Sequence, residues 1–101
     1  MAGIRMSLNM LMVLRALHQR LDDPYYGLEL QRALGISNGA LYPILDKLER
    51  AGYVMSHTED IDESAEGRRR RRYFRLTASG IPFAETQLKA AMQTLGQGAT
   101  A

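Results

Sequence analysis

One stretch, residues 37–52, constrains this chain more than any other part of its sequence. It reads SNGALYPILDKLERAG. Its apolar residues recur at intervals of three and four, which gathers them on one face of a helix. They are Leu41, Ile44, Leu45, Leu48 and Ala51. Ser37 or Asn38 can cap the first turn, and Gly52 stands where a left-handed residue normally ends a helix. The pattern predicts an amphipathic helix that packs one face into a core.

The opposite face of this helix is polar apart from an adjacent tyrosine and proline. Its members are Gly39, Tyr42, Pro43, Asp46, Lys47 and Arg50. A Tyr-Pro pair left in water is typical of a surface to which a partner docks. At about 22 Å in length, the helix suits a DNA major groove, which is about 12 Å wide. Asp46 would repel phosphate, so an ion pair with Arg50 is favoured over a contact with a base.

A shorter helix is predicted immediately before this one, over residues 27–34. Its sequence, GLELQRAL, offers several leucines for packing, and the turn that follows it contains Gly35. Two helices joined by a short glycine-containing turn, the second with an outward polar face, are typical of a helix-turn-helix. Many helical hairpins share this pattern, so it favours the motif without establishing it.

The region after the two helices is predicted to form a β-hairpin. Residues 53–60 alternate large and small side chains and contain valine, threonine and tyrosine, as strands do. Residues 70–77 return as a second strand, with Phe74 and Leu76 on one face. Between them, residues 61–67 are polar, acidic and glycine-ended, and we expect a loop. A helix-turn-helix followed by a hairpin is a winged helix.

Charge is concentrated in this hairpin, although the net charge of the chain is only +2. Acidic residues come first and arginines follow at once. They are Glu59, Asp60, Asp62, Glu63 and Glu66, then Arg68, Arg69, Arg70, Arg71, Arg72 and Arg75. Guanidinium groups suit phosphate oxygens, so the run 68–72 is predicted to contact DNA, with only some members facing it. The acids either shield this arm when DNA is absent or simply keep the loop soluble.

Helices are also predicted at both ends of the chain. Residues 4–21 carry two apolar stripes, one for the core and one that we assign to a second subunit; the alternative is a helix buried wholly within one chain. Residues 79–95 contain alanines that permit close approach of another backbone, so we expect this helix to pair with the first helix of a partner in a two-fold dimer. The predicted dimer contacts are Ile4, Leu8, Leu11, Met12, Ile81, Ala84, Leu88, Ala91, Met92 and Leu95.

Composition argues against several other classes of protein. The chain has 101 residues, one domain by length, and no cysteines, which excludes disulfides, thiolate metal sites and cysteine nucleophiles. No apolar run approaches the about 20 residues of a membrane span, and the start does not resemble a signal peptide. His18 and His57 stand without a nucleophile motif, a phosphate loop or metal-ligand spacing. We expect a cytoplasmic protein that is not an enzyme and needs no metal or cofactor.

Together these motifs resemble the PadR-type winged-helix transcriptional regulators, over residues 8–95. The matching positions are Gly27 to Leu34, Ser37, Gly39, Leu41, Tyr42, Pro43, Leu45, Leu48, Glu49, Gly52, the arginine run, Tyr73, Arg75, Leu76, Thr77 and Gly80. The resemblance is to the compact branch, which has a short C-terminal helix. It implies that the second helix of the motif enters DNA, the hairpin touches the phosphate backbone, and the terminal helices form the dimer. Some compact members bind planar drugs between subunits, often against a tryptophan that this chain lacks.

The predicted DNA contacts lie on the second helix and on the hairpin. They are Ser37, Asn38, Gly39, Tyr42, Pro43 and Lys47, with Arg68, Arg69, Arg70, Arg71 and Arg72. Ser37 and Asn38 can donate from a helix N-terminus, where the dipole favours anions, but each is equally a plain cap. The Tyr42 hydroxyl can reach a phosphate, or its ring can lie across its own helix-turn-helix. We expect Pro43 to shape the helix and Lys47 to contact phosphate.

The sequence therefore predicts one winged-helix domain over residues 1–101, mainly α with a small β-hairpin. The helix-turn-helix is placed at 27–52, the wing at 53–77, and the dimerisation helices at the two ends. We expect a homodimeric transcriptional repressor that binds double-stranded DNA at operator half-sites about 34 Å apart. Its DNA binding would be regulated by a small effector at the dimer interface or by changes in dimer geometry. Two alternatives stay open: a winged helix that binds protein, and a small-molecule-binding dimer without specific DNA binding.

Overall fold

The computed structural model describes residues 4–100, and within them the chain is mainly helical with a small antiparallel sheet. The elements are α1 (Leu8–Gln19), β1 (Tyr25–Tyr26), α2 (Gly27–Leu34), α3 (Asn38–Arg50), β2 (Val54–Thr58), α4 (Glu63–Glu66), β3 (Arg72–Leu76) and α5 (Gly80–Thr100). The strands lie in the order β1-β3-β2. A helix-turn-helix, α2 and α3, leads into the hairpin β2-β3, so the prediction of a winged helix is confirmed.

Two helices differ from the predicted ranges at their ends. α1 begins at Leu8 rather than at residue 4, because Ser7 caps it: the Ser7 Oγ accepts a hydrogen bond from the Met10 backbone N–H at 3.1 Å. α5 continues past residue 95 to Thr100. Ser7 thus separates the segment 4–7 from the helix to which the sequence assigned it.

The sheet and its hairpin contain two short elements that the sequence did not predict, and one of them lies in the expected loop 61–67. Tyr25 and Tyr26 form β1 and pair with Phe74 and Tyr73 of β3. Within the hairpin loop, Asp62 caps the four-residue helix α4, its Oδ1 accepting from the backbone N–H of Ser64 at 3.0 Å. Because β1 pairs with the free edge of β3, β3 is the central strand of the sheet.

The core lies between α1, α3 and the inner face of the sheet. Its largest fully buried side chains come from α1, α2, α3, β2 and β3 and are Val13, Leu14, Leu17, Leu30, Leu41, Leu45, Leu48, Val54 and Phe74. Phe74 and Leu76 share the buried face of β3, as alternation predicts. Only one of the two apolar stripes of α1 is buried here, because Leu8 on the other stripe is 73% exposed. Helix α1 is therefore not wholly buried within its own protomer.

Gly80, the first residue of α5, allows the helix to pack directly on the loop before β2. A Cβ at this position would overlap with the Tyr53 carbonyl oxygen, which already accepts a hydrogen bond from the Thr77 N–H at 3.0 Å. Backbone atoms cannot move aside as a flexible side chain can. A glycine, which has no Cβ, thus stands at the point where α5 meets Tyr53.

We expect Gly80→Ala to lower the free energy of unfolding by about 1–3 kcal/mol, the usual cost of forced overpacking. Urea unfolding followed by circular dichroism measures the loss. Gly96→Ala is the matched control, because Gly96 lies on the same helix and a Cβ there would meet nothing within 4 Å. The control is expected to be neutral or slightly more stable. Equal stability of both variants would contradict the close approach.

Candidate nucleic-acid interface

Helix α3 presents an accessible outer face because its apolar face is taken up by the core. Tyr42, Pro43 and Lys47 are exposed on that outer face. Asp46 and Arg50 form the expected ion pair, with 3.1 Å between Arg50 Nη2 and Asp46 Oδ2. Pro43 lies inside the helix without ending it. The outer face therefore carries a lysine, a tyrosine and a neutralised acid-base pair.

The N-terminus of α3 is exposed and capped by Ser37. The Ser37 Oγ accepts from the Ala40 backbone N–H at 3.2 Å, so the serine acts as a cap. Asn38 and Gly39 are both exposed in the first turn. Since the Ser37 oxygen is the acceptor in this bond, its hydroxyl hydrogen stays available for donation to an anion.

Tyr42 spans the helix-turn-helix while keeping 39% of its surface exposed. Its ring meets Phe74 edge-to-face, with 6.3 Å between centroids. Its hydroxyl lies against the Cα of Gly27, where a Cβ would overlap with it. The ring therefore packs across its own helix-turn-helix, while part of the side chain stays exposed; contact of the hydroxyl with a phosphate stays a prediction.

The start of the arginine run is tied down by Glu59. This carboxylate accepts from Arg68 Nη1 at 2.6 Å and Nη2 at 3.1 Å, and from the Arg71 backbone N–H at 2.8 Å. The Arg68 guanidinium and these further donors lower the pKa of Glu59 from the ordinary 4.5 to about 2. Glu59 is thus an ionised carboxylate that accepts three hydrogen bonds within the wing.

The depressed pKa of Glu59 predicts a loss of stability in acid. The contribution of its contacts with Arg68 is fully present above pH 4.5 and is lost as pH falls through about 2. We expect Glu59→Gln to melt below the wild type near neutral pH, and the gap to close as pH is lowered towards 2. Thermal melts followed by circular dichroism measure it. A gap that stays constant down to the acid limit would contradict the assignment.

The base of the wing is tied to α3 by Glu49. Arg72 Nη2 donates to Glu49 Oε1 at 2.7 Å, and the Ser56 hydroxyl donates to Glu49 Oε2 at 2.5 Å. Arg72 Nε also donates to Ser56 Oγ at 3.2 Å. Because Arg72 lies on the Phe74 face of β3, its guanidinium comes to 5.0 Å from that ring centroid. One helix and two strands meet in this cluster.

The remaining wing arginines are less constrained. Arg70 Nε donates to the Ile61 carbonyl at 3.0 Å, and its backbone N–H to Glu63. Arg71 lies 4.4 Å from the centroid of the Tyr26 ring. Arg69 is exposed, and within the described residues its guanidinium has no hydrogen bond, ion pair or aromatic partner.

A second accessible surface lies between α1 and α5 and contains four of the predicted dimer contacts, Leu8, Leu11, Ala91 and Leu95. Leu8 is 73% exposed, and Met92 and Leu95 are each 67% exposed. We call the apolar depression between the two helices the α1–α5 groove. It is lined by Met6, Ser7, Leu8, Leu11, Gln87, Ala90, Ala91, Thr94 and Leu95. The remaining predicted contacts, Ile4, Met12, Ile81 and Leu88, are half-buried.

One predicted dimer contact is corrected by the structure. Ala84 has no exposed surface and belongs to the core of its own protomer. α5 packs against α1 there, so the helix turns its first apolar positions inward and only its later ones outward. The stripe read from the sequence therefore serves two partners in succession along the helix.

Other kinds of site find no support in the part of the chain that the structure describes. Residues 4–100 contain no group of three or more histidine and acidic side chains arranged to hold a metal ion. No helix in the same residues is long and apolar enough to cross a bilayer. His18 contacts Glu85 at 2.9 Å between α1 and α5, which is a link between helices.

Several solved structures have the same fold as this chain. A PadR-like transcription factor from Bacteroides fragilis is 20% identical, with a TM-score of 0.72 over 92% of this chain and 87% of that one. The smu.1704 protein of Streptococcus mutans is 26% identical, with a TM-score of 0.67 over 90% and 86%. Apo MarR of Escherichia coli is 23% identical, with a TM-score of 0.74 over 94% of this chain but only 64% of its own. These likenesses establish the winged-helix fold.

The family is shown by the sequence itself. No curated protein matches the chain. The model of the transcriptional regulator PadR-like family, however, matches residues 13–85, from the middle of α1 into α5. That range holds the helix-turn-helix and the whole wing and covers well over half of the sequence. The chain therefore belongs to the PadR-like family of transcriptional regulators, which are not enzymes.

Proposed function

We propose that this protein is a cytoplasmic, homodimeric repressor that binds a pseudo-palindromic operator in double-stranded DNA. The observation that carries the proposal is the pairing of an exposed recognition helix with an arginine-rich wing joined to it by Glu49 and Arg72. At 13 residues, α3 is about 20 Å long and suits the major groove. The wing then lies beside the groove, where arginine meets phosphate.

The proposed contacts of α3 are divided between its N-terminus and its outer face. Ser37, Asn38 and Gly39 bring the positive end of the helix dipole and their own donors towards the DNA backbone. Tyr42 and Lys47 reach phosphates from the exposed face. Pro43 shapes the helix rather than reading a base. The wing supplies the remaining charge through Arg68, Arg69, Arg70, Arg71 and Arg72.

The proposed dimer uses the α1–α5 groove on both subunits. A two-fold dimer buries the same surface twice, and exposed Leu8, Met92 and Leu95 are side chains that water disfavours. Two recognition helices related by a two-fold axis match half-sites about 34 Å apart. A small effector between the subunits belongs to the same proposal, because the groove is apolar and accessible and would pass a change in dimer geometry to α3.

Fluorescence anisotropy tests the proposal directly. The protein is titrated onto the duplex upstream of its own gene and onto a shuffled duplex of equal length, at two salt concentrations. Tighter binding to the native duplex at both salts supports a specific repressor. Four to six phosphate contacts per dimer would give a log-log salt slope of about −4 to −5. Absence of binding to either duplex at low salt overturns the proposal and favours a protein-interaction module.

Tyr42→Phe separates the two roles of this tyrosine. The variant keeps the ring that packs on Phe74 and loses only the hydroxyl, which has no hydrogen-bond partner within the described residues. We expect unchanged thermal stability and about 10-fold weaker DNA binding, since a hydrogen bond to a charged group contributes about 1.5–3 kcal/mol. Wild-type affinity in the anisotropy assay would show that the hydroxyl only fills space against Gly27.

A further inference from the structure

Four of the five wing arginines fall into two groups according to what their guanidinium groups contact; the fifth, Arg71, lies over the Tyr26 ring, 4.4 Å from its centroid. Arg68 and Arg72 are held by carboxylates, Glu59 at 2.6 Å and Glu49 at 2.7 Å. Arg69 has no such partner within the described residues, and Arg70 donates only to a backbone carbonyl. A guanidinium already bound to a carboxylate has fewer of its five N–H groups free for a phosphate, and its charge is partly neutralised. The two groups are therefore unequal candidates for DNA.

Glu59 closes the wing where the strands would otherwise diverge. Besides both terminal nitrogens of Arg68, it accepts the Arg71 N–H at 2.8 Å. Its own N–H donates to the Arg71 carbonyl at 2.9 Å. The Glu59 side chain is 18% exposed and that of Arg68 is 35% exposed, so the pair is only partly shielded from water. Glu59 thus fixes the path of the chain on both sides of Arg69 and Arg70.

Glu49 does the same at the other end of the hairpin. It binds Arg72 and Ser56, which lie on different strands of the wing, from a position on α3. A rotation of the wing relative to α3 would break both bonds. Glu49 therefore sets the angle between the recognition helix and the wing, and that angle decides whether both can reach one duplex.

Acidic side chains on a DNA-binding surface are unfavourable, because each one repels phosphate. We therefore expect Glu49 and Glu59 to have a structural role that outweighs this repulsion. Holding a long hairpin in its bound shape before DNA arrives removes an ordering cost from binding. Their contacts, two or three hydrogen bonds each, are those of supports.

We propose that Glu59 and Glu49 are positioning residues for DNA binding, with Arg68 and Arg72 as their structural partners, and that the wing's phosphate contacts come from Arg69 and Arg70. This inference rests on the proposed function of the same surface. It reduces the run of five arginines to two that touch DNA. Within one subunit the acids and the paired arginines build the frame, and the exposed Arg69 and Arg70 project from it.

The inference is tested by whether removing one negative charge raises or lowers the affinity for DNA. Glu59→Gln and Glu66→Gln both make the wing more positive by one charge. Glu66 lies on α4, close to Arg68, but its carboxylate accepts no hydrogen bond within the described residues. Simple electrostatics predicts that both variants bind DNA more tightly. Positioning predicts that Glu59→Gln binds about 5-fold or more weakly, while Glu66→Gln binds as well as the wild type or better.

The readout is affinity for the native duplex by anisotropy, on variants whose circular dichroism shows them folded at the assay temperature. Weaker binding by Glu59→Gln supports positioning, and tighter binding by both variants overturns it. If Glu59→Gln is unfolded, Glu59→Asp takes its place: it keeps the charge but shortens the reach, so weaker binding supports the proposal and wild-type binding overturns it. Failure of the wild type to bind any duplex would instead refute the proposed function.

A second measurement tests which arginines touch phosphate. Arg69→Gln is expected to reduce the log-log salt slope by about 0.9 per subunit, or about 1.8 per dimer, the share of one phosphate contact each. Lys89→Gln removes the same charge from an exposed position of α5 that does not line the α1–α5 groove, and it is expected to leave the slope unchanged. An unchanged slope for Arg69→Gln would overturn the assignment of phosphate contact to this residue.

Discussion

Phe74→Ala is expected to lower the free energy of unfolding by about 3–5 kcal/mol, the usual range for removing a buried phenylalanine. Phe74 has no exposed surface and lies on the central strand, opposite Tyr25 of β1 and Ser56 of β2. The Tyr42 ring also rests against it. Because small domains are stable by only about 5–15 kcal/mol, the variant should unfold at a much lower urea concentration, which circular dichroism measures.

Phe83→Ala is the matched control for this prediction. Phe83 is half-buried on α5 and stacks on the Tyr53 ring with 3.8 Å between centroids. It carries the same side chain, but solvent already reaches it, so we expect a loss less than half as large. Equal losses would mean that Phe74 is not the centre around which the helices and the sheet pack.

The long elements of this fold could be predicted because their patterns are local. Periodicity alone locates α3, and its end is marked by Gly52, which has a φ of 83°. Strand alternation correctly places Phe74 and Leu76 on the buried face. The same alternation puts Arg72 on the Phe74 face, so the contact of its guanidinium with that ring could also have been derived. Features that follow a repeating local pattern can therefore be predicted from the sequence.

The short elements escaped prediction because they have no repeat to detect. β1 has only two residues, too few for an alternation, and it exists because β3 offers an edge for pairing. α4 has four and depends on one aspartate cap. The burial of Ala84 depends on where α1 packs across α5, and no local sequence pattern specifies that position. Each of these features is decided by a neighbour distant in sequence.

The positioning contacts of the candidate site were missed for the same reason. Glu49 and Arg72 are 23 residues apart, and Glu59 and Arg68 are 9 apart. The sequence shows acids near arginines and allows either shielding or solubility as their purpose. Only the register of β2 against β3 determines which carboxylate meets which guanidinium. The arginine run could be read from the sequence, whereas its division into supports and contacts could not.

Leu8→Glu is expected to convert the proposed dimer into a monomer, raising the dimer dissociation constant by about 100-fold or more. Leu8 lines the α1–α5 groove opposite Leu95 and is 73% exposed in the protomer, so a carboxylate there does not disturb the fold. In the dimer it would be buried without a partner, which costs several kcal/mol. Sedimentation equilibrium measures the change, and circular dichroism should stay that of the wild type.

The control for this change is Met55→Glu, which introduces the same charge at another exposed apolar residue. Met55 is 43% exposed and lies on the edge strand β2, outside the groove, so this variant should remain dimeric. Loss of the dimer must also weaken operator binding, because a monomer reaches only one half-site and forfeits the phosphate contacts of the other. A monomeric Leu8→Glu that still binds the full operator as tightly as the wild type would separate dimerisation from DNA recognition. A Leu8→Glu protein that stays dimeric would place the interface away from the α1–α5 groove.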